Sequence, residues 1–292
     1  MILRTPSWLY GWLLLLPAMI LLIGFTYLPM GATLWHSLFV QTTASAPPSF
    51  VGLDQYRNLL DDAVFRTALR NNLLYALVTV PASMALALLM ALWVNRAFAG
   101  RSLLRLAFFT PTVLPMVAAA NVWLFFYAPD IGLLNRGLAQ LHVAGHNWLG
   151  QADTALWALM SITIWKEAGF FMVFYLAALQ AMPPEVLDAA RLEAGSASYR
   201  LRRVILPLLG PTTLFVAVNA LINAFKLVDH LFILTKGGPN NASTLLLYYL
   251  FETAFRFQDG AYAASQAVLL LILLMACAAV QLFLTRNRVH YR

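Results

Sequence analysis

"EVLDAARLEAGSASYRLRRVILP", residues 185–207, sets three acids, four arginines and a cluster of small residues between two strongly apolar stretches. Pro183 and Pro184 halt the preceding helix. Pro184 suits the first position of a new one, and Glu185 is favourable against its N-terminal dipole. Val186, Leu187, Ala190 and Ala194 then share one face at about 100° per residue. Gly195 supplies a left-handed terminus. Ser196 or Ser198 can cap a second short helix carrying Arg200, Arg202 and Arg203, and Pro207 opens the next apolar stretch. The pattern predicts helix, Gly bend, helix. Its first piece is too short to cross a hydrocarbon core, which takes about 20 residues.

The flanks decide what such a segment joins. Of 292 residues, 61% are hydrophobic and 11% charged, far below the roughly one-quarter charge of soluble domains. Six stretches are long enough to span: 9–39, 71–95, 106–129, 155–180, 204–230 and 261–285. None alternates at period two, so helices are expected rather than barrel strands. The expectation is an all-α polytopic membrane protein with six transmembrane helices in one domain over 1–292. The first stretch outruns a signal-peptide core and has no clean small-x-small site after it, so it reads as a retained span.

Orientation follows from Lys and Arg. With both termini cytoplasmic, eleven basic residues fall inside and six outside, while three acids fall inside and seven outside. The inner basic residues are Arg4, Arg96, Arg101 and Arg105, the four arginines of the opening segment, and Arg286, Arg288 and Arg292. Lys166 with Glu167, and Lys226 with Asp229, read as ion pairs in or at the edge of spans. The net charge of +7 is then a topological signal, with lipid as its partner and no nucleic acid invoked. Residues 242–255 are too short for a seventh span and suit an interfacial helix on the outer face.

Little here points to chemistry. One cysteine, Cys277, provides neither disulfide nor thiolate site. His142 and His146 stand at i,i+4 in a Gly-bearing loop without a third ligand, so no metal site is expected. No phosphate-loop motif occurs, and the chain is expected to bind no cofactor itself; ATP, if used, belongs to a partner chain. The first outer loop has helical periodicity through Leu59, Leu60, Ala63 and Val64, suggesting a short helix feeding the second span. Prolines at 81, 111, 115, 207 and 211 permit kinks in the spans.

Asn219, Asn223, Lys226 and His230 recur at i, i+4, i+7 and i+11, a polar stripe on an otherwise apolar helix. Polar groups facing lipid are costly, so the stripe should face the bundle interior or a wet cavity. Amides offer donors and acceptors to sugar hydroxyls. Helix-to-helix hydrogen bonding is the other reading of the two asparagines. Trp123, Phe125, Phe126 and Tyr127 offer faces on which a sugar can stack, but at the outer end of the third span an aromatic belt is the plainer reading.

In the opening segment, alanines at 189, 190 and 194 let a partner backbone approach, and Asp188 and Glu193 can meet basic groups. The plainer reading is an amphipathic hairpin whose arginines only fix topology. "DAARLEAGSASYRLRRVILP" resembles the cytoplasmic loop of ABC importer permeases, which runs E-A-A, then Gly, then I-x-L-P. Asp188, Ala189 and Ala190 match the triad with Asp for Glu; Leu192 and Glu193 take the apolar and acidic positions; Ile205, Leu206 and Pro207 close it. Ala194 and Gly195 reverse the usual Gly-Ala order. "VGLDQYRNLL", "WKEAGFFMVFYLAALQAMP" and "VDHLFILTKGGPNNAST" extend the resemblance to the carbohydrate branch, with its maltose-type and glycerol-3-phosphate-type permeases.

The resemblance implies a type I importer permease fold in a bacterial inner membrane. It also implies a second homologous permease as heterodimer partner, two ATP-binding subunits and an extracytoplasmic solute-binding protein. On that reading 182–203 is the cytoplasmic coupling loop, with Asp188, Ala189, Ala190, Leu192, Glu193, Gly195 and Pro207 as coupling positions, and the solute is a sugar, polyol or glycerol phosphate. The competing class is an ion-coupled secondary transporter using Lys166, Glu167 and Asp229 as a relay. That class predicts inverted repeats and an isolated midplane carboxylate, and neither is visible. A membrane enzyme would need a convergent acid, His or Cys constellation, which is also missing from the sequence pattern.

Overall fold

The computed structural model describes residues 7–40, 47–96, 98–193 and 196–286. Arg4, Arg288 and Arg292 of the charge count, and Ala194 and Gly195 of the bend, lie outside them. The chain divides into two compact units, 1–62 with 250–271, and 63–249 with 272–292.

In the first unit, α1 (Ser7–Leu22) continues through a π-helical turn (Ile23–Tyr27) into α2 (Leu28–His36). A two-residue antiparallel hairpin follows, β1 (Phe39–Val40) with β2 (Ser49–Phe50), pairing Phe39 with Phe50. It is a small exception to the all-α expectation. The helix α3 (Asp54–Asp61) then buries Leu59 and exposes Leu60. Asp62 is extended at ψ 115°, so α3 ends there and does not run on into the next helix. Tyr56 donates to Ser37 Oγ at 2.7 Å and Gln55 to the Phe39 carbonyl at 3.1 Å, fastening α3 to the hairpin base.

The second unit begins with α4 (Ala63–Val94), which starts eight residues before the expected span. Next come α5 (Arg101–Val113), α6 (Met116–Phe126), α7 (Leu133–Gln140), α8 (Ala155–Gln180), α9 (Pro184–Glu193) and α10 (Ala197–Arg200). A π-turn (Leu201–Ile205) leads through α11 (Leu206–Leu208) to α12 (Gly210–Lys226) and α13 (Asp229–Leu234). Then α14 (Leu246–Phe251) leads out of this unit, the π-turn (Glu252–Arg256) belongs to the first unit, and α15 (Gly260–Arg286) begins in the first unit and ends in the second. Among the described residues five helical stretches are long and apolar enough to cross a membrane, or six if α5 and α6 form one bent span.

The third span differs most from expectation. A single helix over 106–129 was predicted, but α5 and α6 meet at 102°. The residue before a proline is pushed out of the helical region, and Leu114, ahead of Pro115, sits at φ −68°, ψ 132°. Pro115 also has no N–H to return to the preceding turn.

Lipid tails are as apolar as leucine, so helix association rests on close packing and polar contacts rather than on escape from water. The main core accordingly uses small residues where backbones meet: Ala87 and Ala91 of α4, Ala168 of α8 and Ala220 of α12, around Phe171, Met172 and Tyr175. Gly169 carries the closest approach. A Cβ there would strike the Phe108 carbonyl oxygen, so glycine is what lets α5 lie against α8. The first span, by contrast, has 0% of its most apolar window buried, against 56% for the span of α8.

Candidate functional site

Two spans of the second unit are broken, and each break frees carbonyls that lipid cannot satisfy. At the α5–α6 break the Lys166 ammonium, from the unbroken α8, donates to the carbonyls of Pro111 at 3.0 Å, Thr112 at 3.3 Å and Leu114. Three rotatable donors on a flexible stem suit three acceptors that have lost their helical partners. The second break falls at Leu227 and Val228, between α12 and α13. Asn72, fully buried on α4, donates to the Ala224 carbonyl at 3.3 Å and accepts from the Leu246 N–H at 3.1 Å. Its neighbour Asn71 donates toward the carbonyls of Asn241, Ala242 and Thr244 at 3.0 to 3.1 Å.

Asn71 thereby holds the "KGGPNNAST" turn, whose backbone explains its composition. Lys236, Asn240 and Asn241 have positive φ, as does Gly237 at 79°. Asparagine tolerates that region better than most residues. At Gly237 a side chain would also meet Thr244 Oγ1 and Tyr248.

A polar seam runs along α8. Thr163 and Glu167, one turn apart, face α4 and the α12–α13 strand of chain. Tyr75 OH contacts Thr163 Oγ1 and, at 3.0 Å, His230 Nε2. Asn223 donates to Glu167 Oε2 at 2.6 Å. His230 and Glu167 are both buried, and His230 Nδ1 has no hydrogen-bond partner among the described residues.

The predicted stripe is thus divided. The helix ends at Lys226, so Asn219, Asn223, Lys226 and His230 do not share one continuous face. Asn223 and His230 join the seam. Asn219 donates to the Phe215 carbonyl of its own helix at 2.8 Å, and Lys226 is exposed. Neither expected ion pair forms among the described residues. Consecutive residues on a helix point about 100° apart, which sends Lys166 to the break and Glu167 to the seam. The aromatic group also separates: Phe125 is exposed, whereas Tyr127 is buried and donates to the Ala158 carbonyl at 2.9 Å. Sequence reasoning missed Asn71, Asn72, Tyr75 and Thr163. Their only signal was the position of polar groups inside an otherwise apolar span.

The opening segment forms α9, and Ser196 accepts from the Tyr199 N–H at 3.2 Å to cap α10. Leu187 is half-buried and Ala190 is 7% exposed, so this face packs on the chain itself. Ala190 was expected at a partner interface; its own chain covers it instead. Asp188, Ala189, Leu192 and Glu193 face outward, and Leu192, although apolar, is 89% exposed. Asp188 pairs with Arg191 at 2.7 Å. Pro207 lies in α11, and Gly195 lies outside the described residues. No group of three or more His, Cys, Asp or Glu among the described residues could hold a metal ion.

Long apolar helices, broken spans sealed from neighbouring helices and a short outward-facing helix between two spans mark a polytopic helical membrane protein. The chain belongs to the family described as binding-protein-dependent transport system inner membrane component, whose model matches residues 83–289. It is 31% identical over 278 residues to the probable ABC transporter permease protein YurN of Bacillus subtilis, covering 93% of this chain and 94% of that one. It is 30% identical to the sulfoquinovosyl glycerol transport system permease protein SmoG of Agrobacterium fabrum, over 94% and 90% of the two chains. The sn-glycerol-3-phosphate transport system permease protein UgpA of the same organism is 29% identical, over 98% of both. A chain of a crystallised bacterial ABC transporter involved in import of the acidic polysaccharide alginate shares the fold, with TM-score 0.84, 21% identity and 96% coverage of each chain. This chain is accordingly a multi-pass inner-membrane permease subunit of a binding-protein-dependent ABC transport system.

Proposed function

We propose that this chain forms half of the translocation pathway of an ATP-driven importer for a sugar, polyol or glycerol phosphate. Its partners on this reading are a second permease of the same family, two ATP-binding subunits and an extracytoplasmic binding protein that delivers the solute. The termini and α9 face the cytoplasm, in keeping with the distribution of arginines. The relatives, which include a sulfoquinovosyl glycerol and an sn-glycerol-3-phosphate transport system permease, support the solute class. Asn219 and Lys226 are the members of the polar stripe open to a passing solute. Asn223 and His230, held in the seam, position the helices around it.

One observation carries the coupling role: α9 presents Leu192, 89% exposed, beside Asp188, Ala189 and Glu193 on a helix too short to cross a membrane. Burial of such a leucine in a partner's cleft is worth about 2 kcal/mol, and the flanking acids add charge complementarity. An ATPase that closes on ATP would move α9 as a lever on α8, and through the π-turn on α12. Leu192→Glu should leave membrane insertion intact while removing copurification of the ATP-binding subunits and ATP-dependent uptake. Normal copurification and uptake by that variant would overturn the reading.

A further inference from the structure

A cavity of about 470 Å³ lies in the second unit between α9 and the ends of α4 and α8. Three arginines are among its lining residues: Arg96 just beyond α4, Arg191 of α9 and Arg200 of α10. Arg191 is engaged by Asp188, but Arg96 and Arg200 have no ion-pair partner among the described residues. Like charges gathered around one cavity repel one another, and an anion seated among them relieves that repulsion. Planar guanidinium forks suit the paired oxygens of a phosphate, and Asn95 is also among the lining residues.

The rest of the wall is apolar, made by Leu92, Leu179, Met182, Leu187 and Ile205. A free, hydrated phosphate gains nothing from such a surface, whereas an amphiphile does. Trp93, beside Leu92, is 55% exposed, as suits a side chain at the headgroup level of a bilayer. Basic pockets between spans on the cytoplasmic side are a recurrent setting for anionic headgroups.

We propose that this cavity binds the phosphate group of an anionic phospholipid, with the phosphate on Arg96 and Arg200 and the glycerol-acyl part on the apolar wall. A headgroup seated there ties α9, through Arg191 and Leu187, to the ends of α4 and α8. The lipid thus becomes part of the support behind the proposed coupling helix. The inference takes the α9 end as the cytoplasmic one, but its test reads lipid binding alone and is independent of sidedness and of transport.

The importer, purified with its partners in detergent, is offered phosphatidylglycerol and phosphatidylcholine at equal concentration, and retained lipid is read by native mass spectrometry. Wild type should retain phosphatidylglycerol in preference. R96Q/R200Q should lose it by about ten-fold or more, as expected for the loss of charge-assisted contacts. R202Q/R203Q removes the same charge outside the cavity and should retain it like wild type. R96K/R200K, which keeps the charge, should recover part of the binding and guards against a misfolded double variant. Retained phosphatidylglycerol that resists excess inorganic phosphate identifies lipid as the source. Inorganic phosphate bound in place of lipid, and lost in R96Q/R200Q, supports the same phosphate site with a free anion as its source. Equal retention of both lipids with no bound phosphate, or an equal loss in R202Q/R203Q, would overturn the proposal.

Discussion

The interior of the second unit and its α9 segment handle polar groups in opposite ways. Where α5 and α12 break, every freed group considered above meets a side chain from an unbroken neighbour: Lys166 reaches in from α8 and Asn72 from α4. Where α8 gives way to α9, the acids and Leu192 turn outward. The first region resolves its needs within the chain, while the second leaves them for something else to meet. In hydrocarbon an unpaired backbone group costs several kcal/mol, so internal breaks must be sealed; at an aqueous face there is no such demand. A broken span sealed in this way is a structural device, and an exposed apolar side chain on a short surface helix is an invitation to a partner.

The contrast can be broken at three places. The largest effect is expected at Lys166→Met, which keeps length and volume but strands three carbonyls. It should cost about 3 kcal/mol or more, read as a fall in the thermal unfolding midpoint of the purified chain. An unchanged midpoint would mean that water or lipid reaches the break. Asn72→Leu should come next. It unpairs the Ala224 carbonyl and the Leu246 N–H, and a loss of about 2 kcal/mol is expected, with faster hydrogen exchange confined to the end of α12 and the 236–246 turn. Exchange spread over the whole unit would show that Asn72 supports more than this cap. The smallest effect belongs to Asp188→Asn, since an exposed pair of this kind contributes about 0.2–1 kcal/mol. The unfolding midpoint should hardly move, while stimulated ATP hydrolysis by the assembly should fall; a large drop in stability would place Asp188 with the inward-facing groups.

Much of the fold was legible because the membrane imposes simple rules. Length and apolarity reported the spans, and arginine spacing suggested their orientation. The 185–207 segment was legible in unusual detail, down to Pro184 as the first residue of α9 and Ser196 as a cap. Partner choice was harder to see. Lys166 and Glu167 are adjacent in sequence and of opposite charge, so they read as a pair, yet helical geometry turns them to different neighbours. The stripe through Asn219 and His230 assumed an unbroken helix, and Val228 lies outside the helical region at ψ 2°. No local signal marks that break, because it depends on Asn72 and the 236–246 turn, far away in the chain, to make it affordable.

Composition alone determined that the chain lives in a bilayer as helices, since 61% hydrophobic residues in long runs leave no other way to satisfy the backbone. Its local pattern also determined that residues 185–207 form a short helix that cannot cross. Only the tertiary structure decided which face of that helix is free. Ala189 and Ala190 are identical side chains one step apart, and the fold of the chain around α9 buries one and leaves the other exposed. Likewise only the fold decided which carbonyls Lys166 meets, because a helix break is a local event but its remedy comes from whichever neighbour packs beside it.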